Sequence, residues 1–376
     1  MARVLIAPDK FKGSLTAAEV AAALRIGMLR IAPDLEVDVV PVADGGDGTV
    51  DAAVAAGFTR VPVTASGPTG GSVSTSYARR GDTAVVEVAD VCGLVRLPGA
   101  PKPLSASSRG AGEVIAAAVA AGARHVVLGI GGSASTDGGA GILQAMGARL
   151  TDRSDRDIEP GGLGLFEIAS IDLAPLRERL NGVTFSVACD VDNPLTGPTG
   201  AAAVYGPQKG ATGDQVAFLD LALGLFADVV AATTGSDRRS APGAGAAGGI
   251  GFAMLALLDA TLRPGIELVL ELAGYDARVA EASLVVTGEG SLDEQTLHGK
   301  AVLGVAARSG GLPVVAVCGR SALSPAALRE VGIGTTYRLT DLEPDVDRCI
   351  ANAFPLLELV GERIALEHVV PVEVTS

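Results

Sequence analysis

The sequence predicts an α/β protein: a Rossmann-like domain on a parallel sheet, interrupted by a second, mixed α/β domain, with the active site in the cleft between them. Three observations carry this expectation. Short apolar runs ("RVLIA", "HVVLG", "SLVV", "PVVAV") alternate with alanine-rich stretches of helical period. Such continuous runs are what strands buried on both faces look like. Two stretches, residues 59–91 and 142–280, break the alternation with a different texture, and 376 residues suffice for two domains. The expected boundaries are 1–60 with 105–140 and 281–376 for the Rossmann-like domain. Residues 61–104 with 141–280 form the second.

Taken in order, "RVLIAPD" is a strand ending in a turn. In "TAAEVAAALRIGMLR", Thr16 and Glu19 have capping-box spacing, Val20, Leu24 and Met28 share one face, and Pro33 stops the helix. "EVDVVPV" is a strand leading into "ADGGDGT". Residues 59–91 alternate small polar and β-branched residues between turn signals, as an antiparallel meander does. "SSRGAGEVIAAAVAAG" reads as a capped helix, and "HVVLGIGG" as a buried strand with a glycine turn. Strands at "SLVVTGEG", "PVVAVCG" and "TTYRLTD", with helices near "TLHGKAVLGVAARSG" and "SPAALREVG", close the chain.

Composition narrows the function. With 43 acidic against 29 basic residues the formal charge is −14. Such a surface repels nucleic acid and anionic lipid, so neither is expected as a partner, and an anionic ligand must be met by local donors. Aromatic residues are 3% with no tryptophan, which leaves no stacking platform for single strands. Cys92, Cys189, Cys318 and Cys349 are far apart and read as reduced thiols. No run reaches eighteen uninterrupted apolar residues, and "MARVLIAPDK" is too short for a signal peptide, so a cytoplasmic protein is expected.

"GIGGSASTDGGAG", residues 129–141, carries six glycines in thirteen positions. Gly129, Gly131 and Ala134 fit a dinucleotide fingerprint, with Asp152 as the ribose acid, which would make the chain an NAD(P)-dependent dehydrogenase of a small hydroxy acid. The competing structural reading is a close crossing that tolerates no Cβ. Ser133, Ser135, Thr136 and Asp137 add donors suited to an anion nest. No Walker A loop exists: before Gly299-Lys300 stands Glu294 where its first glycine should be, and Ala301 follows.

Four acidic turns follow apolar runs: "APDKFKGS" (Asp9, Lys10, Lys12, Ser14), "VADGGDGT" (Asp44, Asp47), "ACDVDNP" (Asp190, Asp192, Asn193) and "VTGEGSLDEQT" (Glu289, Asp293). Ligands of parallel α/β sheets bind outside the carboxyl ends of the strands. Carboxylates beside Lys12, Lys209 and Lys300 suit phosphoryl transfer: hard oxygens hold Mg²⁺, ammonium groups offset phosphate charge, and one carboxylate takes the hydroxyl proton. His125 and His368 flank apolar runs and read as structural. His298 lacks a nucleophilic partner.

The blocks "APDKFKGSLTA", "PVADGGDGT", "LGIGGSASTDGGAG", "CDVDNPLTGPTGAA", "YGPQKGA", "GAAGGIGF" and "TGEGSLDEQTLHGK", in this order from residue 7 to 300, resemble the bacterial glycerate kinase family. The resemblance implies a kinase using ATP and Mg²⁺ to phosphorylate D-glycerate, usually to 2-phosphoglycerate rather than 3-phosphoglycerate, acting as a monomer or homodimer. On that reading ATP phosphates lie over Gly129, Gly131, Gly132, Ser133 and Asp137 and over Gly288 and Gly290, near Lys12 and Lys300. Asp190 or Asp192 is the base and the other helps hold Mg²⁺, with Glu289 and Asp293 as further ligands and Asp44 open to either role. Lys12 and Lys209 face the glycerate carboxylate, with Asp9, Ser14, Asn193 and Arg109 on the substrate side. Four positions depart from the family pattern: Asp47 for glutamate, Thr136 for asparagine, Glu294 for glycine and Arg109 for tyrosine. A dehydrogenase and a non-catalytic sugar-acid or nucleotide sensor remain as alternatives.

Overall fold

The computed structural model describes residues 3–294, 296 and 301–370. The chain divides into two compact units: Met1–Asp44 with Ala55–Gly57 and Ile266–Ser376, and Gly45–Val54 with Phe58–Gly265. Strands are numbered here in chain order.

The first unit holds β1 (Arg3–Pro8), β2 (Glu36–Val39), β11 (Leu284–Leu292), β12 (Val314–Ser321) and β13 (Thr335–Arg338). They form a five-stranded sheet in the order β13-β12-β11-β1-β2, and every pairing is parallel. The helix Ala17–Ile31 is capped as its sequence requires: Glu19 N–H donates to Thr16 Oγ1 (3.2 Å), and the Glu19 carboxylate accepts from Thr16 N–H (2.8 Å). Its buried face includes Val20, Leu24 and Met28. The helix Ala353–His368 crosses it so closely that a Cβ on Gly27 would stand 1.9 Å from the Glu358 carbonyl oxygen.

The second unit holds β3 (Thr59–Ser66), β4 (Ser72–Arg80), β5 (Thr83–Glu87), β6 (His125–Gly129), β9 (Thr184–Ala188) and β10 (Thr261–Arg263) in the order β10-β9-β6-β5-β4-β3. The expected meander is present as the antiparallel pairs β3–β4 and β4–β5, and the remaining pairs are parallel. A short antiparallel pair, β7 (Arg149–Thr151) with β8 (Ser170–Asp172), stands beside it. Helix Gly213–Thr234 is long and apolar enough to cross a membrane by length and composition. One face of it is buried in the core of the unit, through Leu219, Leu223, Phe226 and Val230, with Phe226 edge-on to Phe252 at 5.7 Å.

Two expectations are corrected. Residues 105–140 belong to the second unit, because β6 hydrogen-bonds to β5 on one side and β9 on the other. Residues 45–54 and 58–60 also fall in that unit, and 266–280 in the first. The helix Arg109–Ala120 receives no side-chain cap from Ser108. Its hydroxyl donates instead to Asp137 (2.9 Å) and accepts from Ile142 N–H (3.2 Å).

Candidate active site

In the first unit the sheet order β11-β1-β2 brings three of the expected acids to the carboxyl ends of neighbouring strands. Asp9 follows β1, Asp44 follows β2, and Glu289 lies in β11 one residue past the Pro8–Gly288 register pair. Asp9 N–H donates to the Gly288 carbonyl (2.8 Å), locking the turn to β11. The Asp9 carboxyl is pushed up to about 7, first by burial and then by the negative charge of Asp44, with a smaller push from Glu289. The Lys10 N–H, 2.7 Å from Asp9 Oδ1, and the Lys10 ammonium oppose the shift. Buried Glu289 accepts from Thr296 Oγ1 (2.6 Å), and Asp293 N–H donates to the same hydroxyl (3.1 Å).

Four further first-unit candidates lie on the turn after β1 and on β11. Lys12 is exposed on the turn closed by Phe11 N–H to the Leu15 carbonyl (2.9 Å). Ser14 donates to the Ile350 carbonyl (2.8 Å), so its hydroxyl anchors the turn. Gly288 and Gly290 serve close approach: a Cβ would stand 2.2 Å from the Val317 carbonyl at the first and 3.4 Å from Phe11 Cα at the second. Lys300 and His298 lie outside the described residues.

In the second unit Asp190, exposed past the end of β9, is oriented by Gly265 N–H, which donates to its Oδ1 (2.9 Å). Asp192 is exposed nearby in sequence. Asn193 is occupied by its own loop: Nδ2 donates to the Thr199 carbonyl (2.9 Å) and Oδ1 accepts from Tyr205 (2.5 Å). Arg109 pairs with Glu113 one helical turn on (3.1 Å), which places its guanidinium on a carboxylate of its own helix.

The glycine-rich loop has a structural explanation. A Cβ on Gly129 would stand 2.7 Å from the Gly45 carbonyl oxygen, and one on Gly131 would stand 2.7 Å from Gly46 Cα. Gly138 and Gly139 face Phe226 and Ala253, and Gly141 faces Ser107 and Arg109. The backbone is spent internally as well: Ala134 N–H donates to the Cys92 carbonyl, Leu94 N–H to that of Gly132, and Gly138 N–H to that of Gly248. The dinucleotide fingerprint at Gly129, Gly131 and Ala134 is therefore a packing pattern, and the dehydrogenase reading falls with it.

Asp137 and Lys209 are both buried. Asp137 accepts from Ser108 N–H (2.7 Å), Ser108 Oγ (2.9 Å), Ser107 Oγ (3.3 Å), Gly139 N–H (3.2 Å) and Gly141 N–H (3.4 Å). Lys209 Nζ donates to Ser133 Oγ (2.9 Å) and the Ser135 carbonyl (2.5 Å). Burial pulls the Lys209 ammonium down to about 7 against the opposing charge of Asp137.

One residue went unread in the sequence. Glu87, 4% exposed at the end of β5, accepts from Gly48 N–H (3.2 Å) and Val50 N–H (3.1 Å) and so fixes the "GGDG" turn. Burial, then the charges of Asp47 and Asp90, push it up to about 7 against those two bonds. The signal was available as an acid ending the apolar run "TAVVE".

Acidic turns follow the parallel strands of the first unit, and glycine turns pack beside the strand ends of the second sheet; in α/β proteins such strand ends are where ligands bind. The comparisons give the family. The model of the glycerate kinase family matches residues 4–368. The chain is 44% identical over 369 residues to a glycerate kinase of Bacillus subtilis strain 168, covering 96% of this chain and 97% of that one. It is 40% identical over 370 residues to a glycerate 2-kinase of Escherichia coli K12, covering 96% and 97%. A crystal structure from Salmonella typhimurium LT2, described as glycerate kinase 2, superposes with TM-score 0.85 at 41% identity, covering 97% of this chain and 98% of that one. The chain belongs to the glycerate kinase family and is a kinase.

Proposed function

We propose that this enzyme transfers the γ-phosphoryl group of ATP to the C2 hydroxyl of D-glycerate, giving 2-phosphoglycerate. The observation that carries the reading is full-length similarity to relatives that bear the glycerate kinase name, one of them a glycerate 2-kinase at 40% identity.

Mg²⁺ suits the carboxylates of the first unit. Among the described residues no three His, Cys, Asp or Glu side chains form a ready-made metal cage. Mg²⁺ needs none, since it keeps several waters and binds through one or two carboxylates and the substrate phosphates. Asp9, Asp44 and Glu289 are hard oxygen donors; Asp9 is raised first by burial and then by the charges of Asp44 and Glu289, and a cation relieves that repulsion. These residues would hold the ion, which offsets the charge of the transferring phosphoryl group. Asp190, held by Gly265 N–H, accepts the proton of the attacking hydroxyl. Gly131 and Gly132, the loop residues that reach solvent, offer main chain to a substrate anion.

The test is turnover of ATP and D-glycerate with Mg²⁺, followed by phosphorus NMR of the product. The 2-phospho resonance is expected. A 3-phospho product overturns the regiochemistry, and no phosphorylated acid overturns the reaction.

A further inference from the structure

We propose that Lys209 is a positioning residue: through Ser133 and Ser135 its ammonium sets the glycine-rich loop so that the tip at Gly131–Gly132 receives an anionic group, carboxylate or phosphate, of a small ligand.

The argument starts from where the charge sits. Lys209 ends the short turn Pro207–Lys209, between Gly206 and the left-handed Gly210 (φ 85°), and its side chain runs inward until the residue is 3% exposed. A lysine is almost never that buried without a compensating partner. Its two described bonds both end on the loop, at Ser133 Oγ (2.9 Å) and the Ser135 carbonyl (2.5 Å). Its third donor position has no described partner, and no carboxylate is within ion-pair distance among the described residues. Asp137, the one titratable group among the described residues whose charge acts on it, is engaged by five donors from elsewhere.

The other side of the loop is built to match. Ala247, Gly248 and Gly249 run through three successive left-handed conformations (φ 54°, 73° and 91°), a strained path for alanine. That path brings Gly248 so close that a Cβ on it would stand 2.1 Å from the Ser135 carbonyl and 3.0 Å from Lys209 Nζ. The loop is thus gripped between a buried cation and a strained backbone. Moreover, the buried hydroxyls of Ser135 and Thr136 have no hydrogen-bond partner among the described residues, so the segment carries more polar capacity than the fold consumes. An apolar residue would fill the Lys209 site at lower cost to folding. What it would not supply is positive potential a few residues behind the exposed Gly132.

The inference rests on the kinase reading only for the identity of the anion. The experiment measures binding without turnover: dissociation constants of the full-length protein for D-glycerate and, separately, for tripolyphosphate, at pH 6 and pH 9, in wild type and K209M. For one of the two ligands K209M is expected to bind tenfold or more weakly at pH 6. The ligand affected tells carboxylate from phosphate. Wild-type affinity for it should fall between pH 6 and pH 9 by at least ~fivefold more than that of K209M, because the Lys209 ammonium deprotonates near 7 only in wild type, whereas titration of Glu87 and of the ligand is common to both proteins. Wild-type constants for both ligands in K209M overturn the proposal, as does a wild type that binds neither. Should K209M fail to fold, S133A keeps the lysine and removes one of its acceptors. A threefold or greater weakening for one ligand supports the proposal, and unchanged constants overturn it. Wild-type protein that binds but does not phosphorylate D-glycerate refutes the kinase reading and leaves the Lys209 result standing.

Discussion

Gly129 and Gly45 meet main chain to main chain: a side-chain carbon on Gly129 would lie 2.7 Å from the Gly45 carbonyl oxygen. Gly45 is itself enclosed, with a Cβ position 2.5 Å from Ala188 Cβ and 2.8 Å from Gly265 Cα. Four chain segments, two of them the ends of β6 and β9, therefore converge with no room for a methyl group. Glu87 fastens the same turn by accepting from Gly48 and Val50 N–H. The turn carrying Asp47 and the loop carrying Gly131 are thereby fixed as one body.

From this contact the response to adding one carbon follows. Gly129→Ala should destabilise the protein by about 1–3 kcal/mol, the usual cost of overpacking a site whose neighbours are backbone. Gly224→Ala is the contrast. Gly224 lies within the helix Gly213–Thr234, and a Cβ there meets nothing within 4 Å. That change should stabilise by up to ~1 kcal/mol through helix propensity. Urea unfolding of the two variants checks both signs.

The same loop marks where sequence reading stops. The capping box at Thr16 and Glu19, the meander from β3 to β5 and the acids at strand ends are all written in local residue order, and local rules recover them. The partners of β6 are not. "HVVLG" fits the middle of either sheet, and only long-range pairing with β5 and β9 assigns it to the second unit. A glycine needed for a ligand and one needed for a neighbouring carbonyl look alike, because both positions exclude a Cβ. Charged residues among small polar ones read as ligand-facing, yet Asp137 and Lys209 turn inward, where five donors meet the one and the loop accepts from the other.

Asp190 separates chemistry from architecture. Its side chain is exposed and its described bond is to Gly265 N–H, which an asparagine carbonyl can also accept. Asp190→Asn should leave the melting temperature within a few degrees of wild type while lowering kcat by about 10²-fold or more, the scale of losing a general base. Wild-type turnover in the variant removes Asp190 from the proton transfer.

Glu87 makes stability pH-dependent in a direction opposite to the common carboxylate. Its folded-state carboxyl is raised from 4.5 to about 7, so between those values the folded chain keeps a proton that the unfolded chain releases. Stability from this group is full below about 4.5 and declines as pH rises to about 7, after which both states are ionised. Glu87→Gln retains an acceptor for Gly48 and Val50 and has no proton to lose. The gap in unfolding free energy between variant and wild type should move in favour of the variant by on the order of 2–3 kcal/mol from pH 4.5 to pH 8. A gap independent of pH refutes the raised carboxyl.

Asp137 decides between a ligand-binding and a structural carboxylate. Were it a contact for nucleotide, its removal would weaken ligand affinity and spare the fold. The geometry argues the reverse: its oxygens gather donors from Ser107 and Ser108, before and at the start of the helix Arg109–Ala120, and from Gly139 and Gly141, where the helix Ala140–Ala145 begins. Removing the acceptor leaves those buried donors unpaired and takes away the one negative charge that, among the described residues, acts on Lys209. Asp137→Ala should therefore cost about 3–5 kcal/mol of stability, as loss of one partner in a buried charge network does. Asp137→Asn, which keeps one acceptor oxygen, should cost less. Calorimetric unfolding of the two variants measures this order, and an Asp137→Ala protein as stable as wild type would return the residue to the ligand.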